Sequence, residues 1–170
     1  MQVLATARLA LRTIGLDDAP FYLGLVNDPC FIEHIGDRGI RTVEAAREAI
    51  ASGPLAMQAA RGHSLYLVER LADGAAIGMC GLIKRDTLEH VDIGYALLPP
   101  YRGQGYAYEA ARAVVEHARR DVGLARLLAI TAPSNAASNA LLQKLGLQFQ
   151  QCARLTPQDT GTNIYALDFG

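Results

Sequence analysis

The segment Arg102-Gly103-Gln104-Gly105-Tyr106-Ala107 has the composition of a loop that binds a phosphate group. It lies between a predicted strand end and the start of the longest predicted helix. Glycine allows the backbone to turn so that successive N–H groups point at one spot. The free N–H groups and the dipole of a helix N-terminus strengthen that positive field, so such a loop can bind phosphate without a lysine.

Four interpretations of this loop can be compared, three of them phosphate sites and one a plain glycine-rich turn. A Walker loop ends in Gly-Lys-Ser/Thr, and no such ending follows here. A dinucleotide fingerprint needs a third Gly or Ala where Tyr108 stands, and Pro99-Pro100 interrupts the tight strand-to-helix step that it requires. A single pyrophosphate held by one glycine turn remains as the functional interpretation.

The hydrophobic pattern around the loop predicts a mixed α/β fold. Period-two alternation and turn residues predict strands at 3–13, 63–70, 75–84, 89–98, 126–132, 148–155 and 163–169. Helices are predicted between Asp17 and Asn27, from Thr42 to Gly53-Pro54, over 107–118, and after Asn135 as far as Leu145. Three consecutive strands with short links precede the loop, which indicates an antiparallel meander.

Length and composition limit the classes of protein to consider. The 170 residues are interpreted as a single domain, 1–170, and 51% hydrophobic residues exclude a disordered chain. A formal charge of -1 gives no support for nucleic-acid binding. The longest uncharged stretch, 127–143, contains Pro133 and several polar residues, so no membrane span is predicted. Without a signal peptide, and with three separated cysteines read as buried thiols, the expected location is cytoplasmic.

Several motifs together resemble one enzyme superfamily. Arg102-x-x-Gly105-x-Ala107 resembles the coenzyme A pyrophosphate signature of the GNAT N-acetyltransferases. Asn135-x-x-Ser138 with 143–147 is similar to their next motif, although that motif usually ends in Gly-Phe and this chain has Gly146-Leu147. Three further segments resemble the branch that acetylates the N-termini of ribosomal proteins: 7–12, Asn27-Asp28-Pro29 and Asp92-Ile93-Gly94-Tyr95. The resemblance covers nearly the whole chain.

This resemblance implies a fold and an activity. The fold would be the GNAT acyl-CoA N-acyltransferase fold, a central, mostly antiparallel, splayed sheet flanked by helices. The activity would be transfer of an acetyl group from acetyl-coenzyme A, the acyl-donor substrate, directly to a primary amine in a ternary complex, without a metal. The acceptor would be a protein N-terminus or a small-molecule amine, and relatives often pair as homodimers. The alternative is a non-catalytic module that binds or senses acetyl-coenzyme A.

The same resemblance implies which residues bind the coenzyme. The loop residues Arg102, Gly103, Gln104, Gly105, Tyr106 and Ala107 would hold the pyrophosphate. Leu97 and Leu98, at a strand end, would offer main-chain groups to the pantetheine arm. Asn135 would bond the pantetheine or cap its helix, and Ser138 would face the thiol.

The catalytic residues are the base and the proton donor. Asp92 stands where many relatives carry a catalytic carboxylate, and His90, two residues before it, or a water chain is the alternative base. The structural alternative for Asp92 is a strand carboxylate bonded to the backbone or to an arginine. Leu142 stands where many relatives place a donor tyrosine, so Ser138 is expected to meet the thiolate instead. Tyr165 is the second donor candidate.

The acceptor site is expected beside the segment His34-Ile35-Gly36-Asp37-Arg38-Gly39, where relatives form one wall of the acceptor groove. Two glycines beside Asp37 and Arg38 suggest an ordered turn that faces a ligand. A solvent-exposed loop is the competing interpretation.

Overall fold

The computed structural model describes all 170 residues, which form one mixed sheet with helices on both faces. The strands are β1 (Gln2–Ala5), β2 (Leu9–Thr13), β3 (Leu65–Arg70), β4 (Ala76–Ile83), β5 (Asp92–Leu97), β6 (Arg126–Thr131), β7 (Gln148–Ala153) and β8 (Thr162–Asp168). The helices are α1 (Ala19–Val26), α2 (Pro29–His34), α3 (Val43–Ile50), α4 (Ala56–Arg61), α5 (Tyr106–His117) and α6 (Ala136–Lys144). None of them is both long and apolar enough to cross a membrane.

The sheet is antiparallel except at its centre. Its strand order is β1-β2-β3-β4-β5-β6-β8-β7, and only β5 and β6 are parallel. These two strands share a single residue pair, Asp92 with Leu128, supported by the Leu128 N–H donating to the Val91 carbonyl at 2.9 Å. Beyond that point they no longer pair. The expected mostly antiparallel, splayed sheet is therefore confirmed.

Alternating side chains of the sheet pack against different helices. Tyr66 belongs to the core beneath α5 and α6, whereas its neighbour Leu67 belongs to the core beneath α1 and α3. The predicted stripe of small residues on the long helix is confirmed, because Ala110, Ala111 and Ala118 are at most 1% exposed. Because these side chains are small, α5 lies close to β4 and β5. The N-terminus of α5 lies near the end of β5.

The prediction of one continuous strand over residues 3–13 is wrong, because the structure has two strands there. The chain turns back at residues 6–8, so that β1 and β2 form an antiparallel hairpin. The turn is closed by Thr6, whose N–H donates to the Leu9 carbonyl and whose hydroxyl accepts from the Leu9 N–H. The turn depends on the hydrogen bonds of a single threonine, and the period-two hydrophobic pattern of the sequence carries no sign of them.

Two helix boundaries also differ from expectation. Pro29 was expected to end the first helix, and it is also the first residue of α2. A proline is tolerated at the first helical position. Asp28 caps this helix, because its carboxylate accepts from the Phe31 N–H. The helix after Thr42 does not stop at Gly53-Pro54. It passes through a wide π turn over Ala51–Leu55 into α4 and ends at Gly62. A π turn shifts the hydrogen-bond pattern, so the missing proline N–H is accommodated.

Further differences concern single residues. Glu89 and His90 were expected within a strand, but β5 begins only at Asp92. Two of the three cysteines expected to be buried, Cys30 and Cys152, are exposed, and only Cys80 lies in the core.

Candidate active site

The loop before α5 carries a run of backbone N–H groups without backbone partners. Tyr101 and Arg102 donate to the carbonyls of Leu98 and Pro99, and the next N–H to donate to a carbonyl is that of Glu109, to Gly105. The N–H groups of residues 103–108 between them donate to no backbone acceptor. Gly103 and Gly105 have φ values of 74° and 81°, so both sit in the left-handed region that turns the loop. The result is a cluster of free donors at a helix N-terminus, suited to an anion.

The side chains of the loop shape it rather than point into the cluster of free donors. The Arg102 guanidinium donates twice to the Leu97 carbonyl, at 2.8 and 3.1 Å, and forms an ion pair with the buried carboxylate of Asp28. The Gln104 amide donates to the Pro100 carbonyl, and Tyr106 is buried in the core. The free donors of this loop are therefore main-chain groups.

The end of β5 presents main-chain groups to the gap left by β6. The Leu98 N–H donates to the Ile77 carbonyl, and by the alternation of an antiparallel ladder the polar groups of Tyr95 and Leu97 point the other way, toward β6. The Leu97 carbonyl is taken by Arg102, which leaves the Leu97 N–H. Leu98 was expected to offer free main-chain groups as well, but its N–H donates to the Ile77 carbonyl and its carbonyl accepts from the Tyr101 N–H.

Ser138 and Tyr95 meet across this gap. Helix α6 begins after Asn135, whose side-chain oxygen accepts from the Ser138 N–H at 3.3 Å. The Ser138 hydroxyl lies 2.6 Å from the Tyr95 hydroxyl. Burial raises the pKa of Tyr95 to about 12, so its hydroxyl stays protonated at neutral pH. Tyr95 is not among the site residues expected from the sequence, although its spacing from Ile93 and Leu97 places it on the α5 face.

Tyr165, the second donor candidate, is a core residue in this structure. It is 3% exposed and packs edge-on against Phe149. Its hydroxyl donates to the side-chain oxygen of Asn139 at 3.1 Å, and the Thr131 hydroxyl donates to the same oxygen. The structure therefore brings Ser138, and not Tyr165, to the gap. Leu142, one turn after Ser138, is fully buried.

Asp92 lies at the start of β5, where the pairing with β6 occurs. Its residue is 0% exposed, and its Oδ2 accepts from the Arg85 Nε at 2.9 Å. Its Oδ1 is buried and has no hydrogen-bond partner. Burial raises the pKa of Asp92 to about 6 in spite of the neighbouring Arg85. A carboxyl that titrates near neutral pH, with one free oxygen, can accept a proton from a group or water brought next to it.

Asp92 and Tyr95 lie on opposite faces of β5, because successive side chains alternate in a strand. The carboxyl is on the face of α1 and α3, and the two hydroxyls are on the face of α5 and α6. A molecule that enters the gap from the α5 side thus meets the hydroxyls, and one that approaches from the α1 side is nearer Asp92. His90, half-buried, lies in the bend before the strand.

The segment 34–39 forms a surface turn in which Asp37, Arg38 and Gly39 are exposed, as the competing solvent-exposed interpretation expects. Asp37 accepts from the Gly39 N–H and forms an ion pair with Arg41 at 2.7 Å. The Asn27 side chain fixes the end of the turn by donating to the Ile40 carbonyl. Ile35 is left 45% exposed. No group of three or more metal-ligating side chains is present in the structure.

Comparison with known proteins gives a family match. The family described as "Acetyltransferase (GNAT) domain" matches residues 8–148. The uncharacterized N-acetyltransferase YoaA of Bacillus subtilis is 29% identical, over 97% of this chain and 96% of that protein. The FsC-acetyl coenzyme A-N(2)-transacetylase of Aspergillus fumigatus is 30% identical, over 85% of this chain and 64% of that protein.

Solved structures with the same fold include two acetyltransferases of a ribosomal protein. RimL, a ribosomal L7/L12 alpha-N-protein acetyltransferase in complex with coenzyme A, superposes with a TM-score of 0.85 at 19% identity, covering 99% of this chain and 98% of that one. The acetyl transferase from Salmonella typhimurium that modifies the N-terminal serine of L7/L12 has a TM-score of 0.83 at 19% identity, with both chains fully covered. At these identities the likeness concerns the fold.

The loop geometry leads to a prediction with a matched control. Gly103 lies in the loop before α5, and Gly123 lies after the helical turn that follows α5. Their φ values are 74° and 77°, and a Cβ at either position would meet nothing within 4 Å. Alanine at each should cost about 1 kcal/mol of stability through backbone strain. Only Gly103→Ala should also weaken coenzyme A binding, by about tenfold, because it disturbs the free N–H groups. Calorimetric titration and urea unfolding measure the two effects. Equal affinities in the two variants would contradict the anion site.

The buried carboxyl of Asp92 leads to a prediction about pH. Between its ordinary pKa of 3.8 and the raised value of about 6, the folded protein keeps a proton that the unfolded chain has lost. Stability from this group is therefore full at low pH and is lost as the pH rises through 6. Relative to Asp92→Asn, the unaltered protein should lose about 2 to 3 kcal/mol of unfolding free energy between pH 4 and pH 7. A pH-independent difference in urea unfolding would show that the carboxyl titrates normally.

Proposed function

The chain belongs to the GNAT acetyltransferase family and is an acyltransferase, and we propose that it moves an acetyl group from acetyl-coenzyme A directly to a primary amine. The observation that carries this proposal is the run of free N–H groups at 103–108, which opens onto the gap between β5 and β6. Ser138 and Asp92 stand on the two faces of the strand that borders this gap.

Coenzyme placement follows from the directions of the free main-chain groups. The pyrophosphate accepts from the free N–H groups of residues 103–108, where the α5 dipole also favours negative charge. The pantetheine arm runs into the gap and bonds the main chain of β5 at Tyr95 and Leu97 in place of the absent β6 partner. Leu98 is not part of this arm site, since its polar groups are engaged. Asn135 acts through the cap that fixes Ser138.

The reaction is a direct transfer in a ternary complex. The amine nitrogen attacks the thioester carbonyl carbon, a C–N bond forms, and the C–S bond breaks. The proton lost by the amine passes through a water to Oδ1 of Asp92, which has no partner in the protein. The route through water is preferred to direct contact because Asp92 is fully buried. The leaving thiolate accepts a hydrogen bond from Ser138, whose hydroxyl is shared with Tyr95.

The acceptor is proposed as the amine of a protein N-terminus or of a small molecule. The structures of L7/L12 acetyltransferases support the first class, and the name of the Aspergillus fumigatus relative, an N(2)-transacetylase, supports the second. The turn 34–39 and the Asp92 face of β5 border the acceptor side in either case. No positively charged excess supports docking on nucleic acid, since the formal charge is -1.

The proposal is tested by binding and by thiol release. Acetyl-coenzyme A should raise the melting temperature, and free coenzyme A thiol should then appear with an amine from a panel of peptides and small amines. Release should depend on both the thioester and the amine, as expected for a ternary complex. Binding without thiol release for any amine would favour a non-catalytic sensor of acetyl-coenzyme A.

The contact between Ser138 and Tyr95 leads to a kinetic prediction. Ser138→Ala should lower kcat by about ten- to a hundredfold with little change in coenzyme A affinity, because one hydrogen bond to a developing charge is lost. Tyr165→Phe is the matched control, since that hydroxyl only positions Asn139. It should keep kcat within about twofold in the same thiol-release assay. A full-rate Ser138→Ala beside a slow Tyr165→Phe would move the donor role to β8.

A further inference from the structure

The turn between β1 and β2 contacts the anion-binding loop through one arginine. The Arg8 Nη1 donates to the Gln104 carbonyl at 3.1 Å. Its guanidinium also lies over the ring of Tyr106, with its carbon 4.3 Å from the ring centroid. A Cβ built on Gly105 would be 3.3 Å from the Arg8 Nη2. Arg8 therefore covers the side of the loop that faces the hairpin.

Arg8 is itself held in place by the first turns of α5. Its Nε donates to Oε1 of Glu109 at 2.7 Å, and its backbone N–H donates to Oε2 of the same carboxylate at 2.9 Å. The Thr6 hydroxyl donates to that second oxygen as well. The Arg8 carbonyl accepts from the Leu71 N–H, which ties the turn to the sheet. Both ends of this arginine are thus fixed, and its guanidinium has one orientation toward the loop.

The orientation of one peptide follows from this contact. All peptide bonds of the chain are trans, and in a trans peptide the carbonyl and the following N–H point in opposite directions. The Gln104 carbonyl points at Arg8, so the Gly105 N–H points to the other side of the loop. We infer that Arg8 is a positioning residue for the pyrophosphate site, which aims the Gly105 N–H at the coenzyme by holding the Gln104 carbonyl.

The contribution of Arg8 to stability is expected to be small. Its side chain is 45% exposed, that of Glu109 is 20% exposed, and ion pairs of this kind contribute little to folding. Gly105 has no Cβ, so the peptides on either side of it can rotate more freely than those beside another residue, and its φ of 81° lies in the left-handed region. A contact that selects one rotation is therefore important for binding even when it is nearly neutral for the fold.

This inference rests on the proposed function only in taking the loop 102–107 as the pyrophosphate site, and it is tested by binding alone. Arg8→Ala should raise the Kd of coenzyme A by about tenfold, the loss of roughly one well-aimed hydrogen bond. Binding of pantetheine, which has no pyrophosphate, should not change. Arg8→Lys should resemble Arg8→Ala, because an ammonium cannot bridge Gln104 and Glu109 as the guanidinium fork does.

Arg126→Ala is the matched control, since Arg126 forms a comparable surface pair with Asp168 at 2.7 Å at the start of β6. It should leave the Kd of both ligands unchanged. Three results would overturn the inference: an unchanged coenzyme A Kd in Arg8→Ala, an equal loss for pantetheine, or full affinity in Arg8→Lys, which would indicate simple charge attraction. If the unaltered protein binds no coenzyme A, the inference and the proposed site both fail. If it binds but acetylates no amine, only the proposed function fails.

Discussion

The separation of β5 from β6 after one residue pair is the constraint on which the proposed site depends. Parallel neighbours need a crossover connection, and here that connection includes the loop 102–107 and α5. Because the crossover leaves from the end of β5, the N-terminus of α5 lies beside the gap between the strands. The unpaired edge of β5 and the unpaired N–H groups of the helix are thus neighbours. A ligand with an extended polar arm and a pyrophosphate can satisfy both sets of groups at once.

The charged side chains near the loop act mainly on the protein. Arg102 bonds Leu97 and Asp28, and Arg8 bonds Gln104 and Glu109, so both cations are occupied by carbonyls and carboxylates. This arrangement leaves the positive field to the main chain and the helix dipole. The Asp28 contact also connects the loop 102–107 to the cap of α2, and hence to the helices on the proposed acceptor side. The proposed coenzyme and acceptor sites therefore share the ion pair of Arg102 and Asp28.

The two faces of β5 separate the proposed base from the hydroxyls proposed to meet the thiolate. The Asp92 carboxyl is buried in an environment that favours its neutral form, whereas the hydroxyls of Tyr95 and Ser138 face the opposite side of the sheet. In the proposed transfer from a thioester to an amine, this separation allows the base and the thiolate-stabilising group to act on different atoms.

The sequence by itself predicted most of the secondary-structure elements and the glycine turn before the long helix. Alternation and helical periodicity predicted the meander and the long helix with its small residues, since these signals depend on neighbours within a few residues. The splayed sheet was implied only by the resemblance of the motifs to a known family. The sequence did not reveal the turn at 6–8, the π turn at Pro54 or the beginning of α2. Those depend on local hydrogen bonds that several sequences could make.

Only the tertiary structure decided which partners the site residues have. Arg102 meets a carboxylate 74 positions away, and Tyr95 meets a hydroxyl 43 positions away. The Asp92 carboxyl is buried beside Arg85, and Tyr165 is bonded to Asn139. Such contacts follow from how the helices pack on the sheet, and local periodicity carries no information about them. The partners that distinguish one tyrosine, arginine or aspartate from another are therefore visible only in the folded chain.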